Sequence, residues 1–345
     1  MANQMLLLSA TAAAMAEAPF KFERPVLVGE SPPVSVTGSN HSHFWFPEAG
    51  GVVGSPGGLQ AVVVGVRFNG DGGAALPKRT YESLVSFDHG SSWTHLGWTP
   101  SFNGVDTRVD PTTGDLIGSC CFARASDNRS FTGSGQRTSV LPNKTLVHTH
   151  TGEVTYSGFP FPVATFTYTG ALVPAKAGDD SILVQTVAYS HYVSEKIAGP
   201  DENLAGFRST DGGVHWEFQQ VIASHNATLK AEHWEGPGEN DIVRLSDNHL
   251  LTIFRVDSCH PYWKSITTDG GVAWGAPIPL PFGSARPKLL RMPNGQPLLA
   301  GGRPGIWLRL GDKTGSTWTS VNVCEQHNEL LPDEPSWHYS ASGEA

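Results

Sequence analysis

The sequence predicts an all-β protein assembled from repeated four-stranded sheets. Three observations lead there: an octapeptide turn written three times, a composition rich in turn formers, and short apolar runs between the turns. The turns are Ser86-Phe87-Asp88-His89-Gly90-Ser91-Ser92-Trp93, Ser209-Thr210-Asp211-Gly212-Gly213-Val214-His215-Trp216 and Thr267-Thr268-Asp269-Gly270-Gly271-Val272-Ala273-Trp274. Each reads S/T-x-D-x-G-x-x-W. An aspartate early in a tight turn accepts from backbone N–H groups further on, and a glycine supplies the left-handed position. The tryptophan then opens the next strand and packs beneath the turn. Three copies in register argue for a repeated hairpin unit. With 39 Gly and 25 Pro in 345 residues, and only 16% charged, little room is left for long helices.

Each turn is expected to join the last two strands of a four-stranded sheet, the unit of a β-propeller. Strands are expected at 61–66, 181–187 and 250–254, where β-branched and aliphatic residues run together. Arg291-Met292-Pro293-Asn294-Gly295 and Leu245-Ser246-Asp247-Asn248 read as hairpin turns. The second and third octapeptides lie 58 residues apart (209 to 267), about one unit with a generous loop. The first and second are 123 apart (86 to 209), room for two units, one of them without a clear turn motif. Gly311-Asp312-Lys313-Thr314-Gly315-Ser316-Thr317-Trp318 is a degenerate fourth copy in which Lys313 takes the aspartate position. The tally is five blades, with a sixth begun after Trp318. Either the first strands close the ring or the chain is part of a longer protein.

The propeller domain is placed at 19–345. Residues 1–18 hold an apolar stretch with a small-residue pattern at Ala14-Met15-Ala16, but no Lys or Arg precedes it. A signal peptide and a disordered extension are both open readings. Four glycosylation triplets, at Asn40, Asn128, Asn143 and Asn226, favour a secreted or lumenal protein. No segment is long and apolar enough to span a bilayer. A net charge of −9 excludes the basic stripe that nucleic acid requires and is neutral toward a sugar partner. Cys120, Cys121, Cys259 and Cys324 match no zinc spacing, and one disulfide or none is expected. The pairs His41/His43 and His148/His150 read as solvent-facing strand residues, with no further ligand in pattern. No metal or cofactor is expected.

With its octapeptides, known as Asp boxes, the chain from about residue 40 onward resembles the sialidase superfamily of six-bladed propellers. That resemblance implies hydrolysis of a terminal sialic acid by an Asp acid/base, a Tyr nucleophile paired with a Glu, and three arginines that clamp the substrate carboxylate. Gly238-Glu239-Asn240-Asp241-Ile242-Val243-Arg244-Leu245-Ser246-Asp247 resembles the segment carrying the Glu, and Arg255 in Phe254-Arg255 the arginine that follows it. The two are 16 residues apart (239 to 255), across one hairpin. Arg303 in Gly302-Arg303-Pro304 resembles the third clamp arginine, with Arg286 competing for the role or bracing a loop. Tyr339, in His338-Tyr339-Ser340, resembles the nucleophile. Asp71, in Gly70-Asp71-Gly72-Gly73, resembles the acid/base on its loop.

One departure stands out. Phe44-Trp45-Phe46-Pro47 occupies the place of the Phe-Arg-Ile-Pro motif, so Trp45 stands where the central clamp arginine belongs. A guanidinium holds a carboxylate through two parallel charge-assisted bonds. An indole has one donor and no charge, but it can stack on a sugar face. Arg67, His41 and His43 are candidates for part of the missing positive charge. The implied function is a sialidase-like exo-glycosidase acting on an acidic sugar by a retaining, tyrosine-nucleophile route. The competing reading is a non-catalytic propeller that binds glycan or protein, and a third is a lyase working on a uronate.

Overall fold

The computed structural model describes residue 20 and residues 44–54, 60–68, 81–98, 108–110, 113–124, 127–191, 202–225, 236–257, 260–283, 285–302, 305–335 and 338. Among them the chain repeats one pattern, an antiparallel meander of four strands. The first unit is β1 (Phe44–Val53), β2 (Ala61–Phe68), β3 (Tyr81–Ser86) and β4 (Thr94–Trp98). The second is β5 (Arg108–Val109), β6 (Leu116–Arg124), β7 (Phe131–Val140) and β8 (Leu146–Ser157). In the third, β9 (Val163–Thr169) and β10 (Val173–Lys176) share one side of the long β11 (Asp179–His191), followed by β12 (Glu202–Ser209) and β13 (His215–Ala223). The fourth is β14 (Asn240–Ser246), β15 (His249–Phe254), β16 (Trp263–Thr267) and β17 (Ile278–Pro279). The fifth is β18 (Ala285–Arg291), β19 (Pro297–Gly302), β20 (Ile306–Gly311) and β21 (Trp318–Asn322).

A parallel pairing of β8 with β13, from His215 opposite Thr155 to Glu217 opposite Ser157, joins the second and third units into one nine-stranded sheet. No described sheet closes on itself.

The period of two along each strand explains how the units stack. On β11, Leu183, Val187 and Tyr189 face one way, into a core with Phe131, Tyr156 and Trp216 of the flanking strands. Val184 and Ala188 face the other way and meet Ile242, Leu250 and Phe254 of the fourth unit. On β15 the same alternation sends Leu251 and Ile253 toward Leu299 of the fifth. Ala61 and Val85 meet Leu116 between the first and second units. The apolar cores therefore lie between consecutive sheets, as a face-to-face stack requires.

All three octapeptides join the third and fourth strands of a unit, as expected. The Ser or Thr hydroxyl accepts from the glycine N–H, at 2.7 Å for Gly90, 2.9 Å for Gly213 and 3.1 Å for Gly271. The aspartate accepts from the N–H four residues on, at 2.8, 2.9 and 3.0 Å. Trp93 and Trp216 donate Nε1 to the glycine carbonyl. Trp274 instead points its Nε1 at Gly206, where it has no acceptor.

The fourth copy corrects the sequence reading. Asp312, one place earlier than the motif, accepts from Ser316 N–H at 2.8 Å, and Trp318 Nε1 donates to Gly315. The aspartate function has slipped one residue and survives, so Lys313 replaces nothing.

The described residues after Trp318 do not begin a sixth sheet. They complete β21 and then form a helix, α1 (Val323–Leu330). Asn322 caps it, accepting from Cys324 N–H while its own amide donates to Glu325. This Asn-x-x-Glu pattern is an N-terminal helix signal. Cys324 is a buried free thiol. No described helix is long and apolar enough to cross a membrane.

The turn aspartates set an acid limit on stability. The Ser92 hydroxyl, the Ser92 N–H and Ser86 lower Asp88 to about 2 from 3.8. At Asp211 burial pushes upward, but the His215 N–H, the His215 ring and Ser209 outweigh it and bring the group to about 2. A carboxylate depressed in the folded state stabilises above its unfolded pKa and loses that contribution as pH falls through the folded one. Thermal melts followed by circular dichroism should therefore show Tm falling steeply between about pH 4 and 2. In an Asp88→Asn, Asp211→Asn double variant the Tm is expected to be lower at neutral pH and the acid slope shallower.

Candidate active site

The unit-four hairpin delivers the strongest pair found in the sequence. β14 and β15 pair with Asn240 opposite Phe254, so the next opposed residues in register are Glu239 and Arg255. The ladder continues through them: Arg255 N–H donates to the Glu239 carbonyl at 2.8 Å, and Gly238 N–H to the Arg255 carbonyl at 3.1 Å. Directly opposed residues share a face, and Arg255 Nη1 meets Glu239 Oε2 at 3.0 Å. Their side chains are 10% and 16% exposed, so the pair is shielded from most screening.

A second donor reaches the same oxygen. The backbone N–H of Arg286, near the start of β18, lies 2.7 Å from Glu239 Oε2. Arg286 adopts φ 48, the left-handed region, although it bears a side chain and precedes Pro287, two features that disfavour this conformation. Glu239 Oε1 has no hydrogen bond among the described residues. The carboxylate is thus held through one oxygen by two donors from two units.

The loop before Glu239 is fixed by close backbone approach. Gly236 has φ 92, and a Cβ there would strike the Glu202 carbonyl; a Cβ on Gly238 would strike the Glu202 carboxylate. The Gly236-Pro237-Gly238 run therefore lies against the start of β12, with the Glu202 carboxylate beside Gly238. Two residues on, Asp241 is buried and accepts from Ala171 N–H (2.8 Å), Ile242 N–H (3.0 Å) and Leu289 N–H (2.8 Å). Asn240, on the opposite face, accepts from Thr186 Oγ1 at 2.7 Å.

Of the residues singled out in the sequence, the structure brings together Glu239, Arg255 and Arg286. Arg286 meets Glu239 through its main chain, a contribution that side-chain chemistry does not signal. Asp71, Arg303 and Tyr339 lie outside the described residues, as do His41, His43 and Cys259. Trp45 is the extra residue of a bulge in β1, between Phe44 opposite Phe68 and Phe46 opposite Arg67. Its backbone thus sits at the same end of the sheet as Arg67. Glu202 was missed, although the Gly-Pro-Gly run before Glu239 signalled a close neighbour.

The other histidine pair is a strand feature, as expected. His148 is half-buried and His150 exposed; their Nδ1 atoms are 3.0 Å from Thr138 Oγ1 and 2.8 Å from Ser134 Oγ. Burial, then the neighbouring His150, lowers the His148 pKa. Among the described residues no three His, Cys, Asp or Glu gather to hold a metal.

Neither a protein-family model nor a curated protein matches this chain. Solved structures do. A Dyadobacter fermentans protein of unknown function superposes with TM-score 0.50 at 16% identity, covering 80% of this chain and 82% of the other. The Hadza microbial sialidase Hz136 gives TM-score 0.50 at 13% identity, covering 80% of this chain and 58% of the sialidase. A Penicillium chrysogenum α-L-arabinanase complexed with arabinobiose gives 0.48 at 14%, covering 85% and 84%. At these identities the likeness shows the fold alone: the stacked four-stranded units follow a sialidase-like propeller.

Proposed function

We propose that this chain is a sialidase-like exo-glycosidase that removes a terminal acidic sugar from a glycan. The observation that carries the reading is the Glu239–Arg255 ion pair, with Glu239 anchored through Oε2 and no hydrogen bond to its Oε1 among the described residues. Such a carboxylate is built to take a proton from a neighbouring hydroxyl. The described units are read as five blades of a sialidase-type propeller, in a secreted or lumenal protein. The match to a sialidase fold supports the same reading.

In this scheme Tyr339 gives its phenolic proton to Glu239 Oε1 and attacks the anomeric carbon, and the leaving-group oxygen takes a proton from Asp71. Asp71 then draws a proton from water, whose oxygen attacks the anomeric carbon as the tyrosine oxygen leaves and takes its proton back from Glu239. A hydroxyl nucleophile suits a sugar bearing negative charge beside that carbon, where a carboxylate would be repelled. Arg255, Arg303 and Arg286, with Arg67, supply positive charge for the acidic group. Trp45 supplies a stacking face in place of the central arginine, which points to a substrate other than free-standing sialic acid or in addition to it.

The substitution at Trp45 also favours a second reading, a propeller that binds glycan or protein without cleaving it. Fluorogenic glycosides of sialic acid, uronic acids, sulfated and neutral sugars, offered to the wild type and to Glu239→Gln, separate the two. The enzyme reading expects turnover of at least one acidic glycoside, reduced about a hundredfold or more in Glu239→Gln. Binding of a glycoside without turnover supports the second reading, and equal turnover in both proteins rejects the assigned role of Glu239.

A further inference from the structure

We infer that Tyr262 is a positioning residue for Glu239, acting through a single strained peptide. This deepens the proposed function and rests on the role given there to Glu239. The Tyr262 hydroxyl donates to the Ala285 carbonyl at 2.9 Å. The N–H of that same peptide unit, borne by Arg286, donates to Glu239 Oε2 at 2.7 Å. One amide plane therefore accepts at its carbonyl and donates at its nitrogen, joining a buried phenol to the candidate base.

Three features argue that this chain is selected and not incidental. First, a hydrogen bond received by an amide carbonyl polarises the amide and strengthens the bond its N–H gives, by about 10–30% in condensed-phase estimates. Second, Arg286, whose nitrogen bears that N–H, takes a left-handed φ of 48 although it precedes a proline. Backbone strain of that kind costs of order 1–3 kcal/mol and is retained where its surroundings over-determine it.

Third, Tyr262 is rigid. It is fully buried in the core between the fourth and fifth units, its backbone N–H donates to the Phe282 carbonyl, and Leu280 N–H donates to its own carbonyl. Its hydroxyl oxygen is thus fixed from inside the core. The arrangement holds the carboxylate in one rotamer and leaves Oε1 as the oxygen that receives a proton.

The test is the ¹⁵N–¹H signal of the Arg286 amide in full-length, backbone-assigned protein. In Tyr262→Phe, which keeps the ring and its packing, the Arg286 amide proton is expected to move upfield as its bond to the carboxylate weakens, with kcat falling several-fold at unchanged KM. An unmoved amide overturns the inference, even if activity falls, because activity would then report packing alone. A shifted amide in a protein that cleaves no glycoside preserves the positioning role and rejects the catalytic reading. Should Tyr262→Phe not fold, the wild type still decides: its Arg286 amide proton must lie downfield of that in Glu239→Gln, and equal positions overturn the chain of bonds.

Discussion

Replacing Asp241 with alanine is expected to destabilise the protein by about 4–6 kcal/mol, the larger part of what an ordinary domain has to lose. The aspartate side chain is a three-way lock. Its Oδ1 takes the Ala171 N–H from the third unit and the Ile242 N–H from its own, while Oδ2 takes the Leu289 N–H from the fifth. Asp241 is buried, at 2% exposure, so water cannot replace it. Each orphaned buried donor costs about 1–3 kcal/mol, and bonds to a charged acceptor sit at the upper end. Asparagine keeps one oxygen but turns an NH₂ toward donors, so about half the loss is expected.

Urea denaturation followed by tryptophan fluorescence measures both variants. Asp247→Ala is the comparison. Asp247 also accepts a distant amide, Ala177 N–H at 2.9 Å, but its side chain is 62% exposed, and the expected cost is below about 1 kcal/mol. Equal losses for the two variants would mean that the units do not depend on the Asp241 lock.

That lock shows what the sequence could and could not disclose. The four turns were legible because their bonds are local, and an aspartate, a glycine and a tryptophan at fixed spacing announce them. The slipped copy at Asp312 was misread because hydrogen-bond geometry tolerates a shift that a strict pattern does not. Glu239 and Arg255 were legible because two residues equidistant from one hairpin turn must face each other. Asp241, two residues from Glu239, carries the same chemistry but a structural duty, and nothing in its own neighbourhood distinguishes the two carboxylates.

Tyr262 and the Arg286 N–H were illegible for a different reason. Their connection runs between separate units, and a backbone N–H leaves no mark on residue type. The tail was misjudged for want of attention to Asn322 and Glu325, which spell a helix cap where another strand was expected.

Gly236→Ala is the second large effect, and it tests whether the active-site loop lies where its geometry requires. Two penalties coincide there. Gly236 sits at φ 92, which an L side chain rarely adopts, and an added Cβ would meet the backbone of Glu202, which has no rotamer to yield. Strain of about 1–2 kcal/mol combines with overpacking of about 1–3 kcal/mol, giving an expected loss of about 2–5 kcal/mol. Gly212→Ala isolates the first penalty. Gly212 has φ 79 and nothing within 4 Å of an added Cβ, so strain alone, about 1 kcal/mol, is expected. The difference between the two variants in urea midpoint is the steric cost of pressing 236 against the start of β12.

The same substitution reaches the site through the backbone. Gly236 N–H donates to Val256 at 3.1 Å and Gly238 N–H to Arg255 at 3.1 Å, so lifting Gly236 peels the strand that opposes Glu239 to Arg255. Equal stability of Gly236→Ala and Gly212→Ala would place the loop away from Glu202.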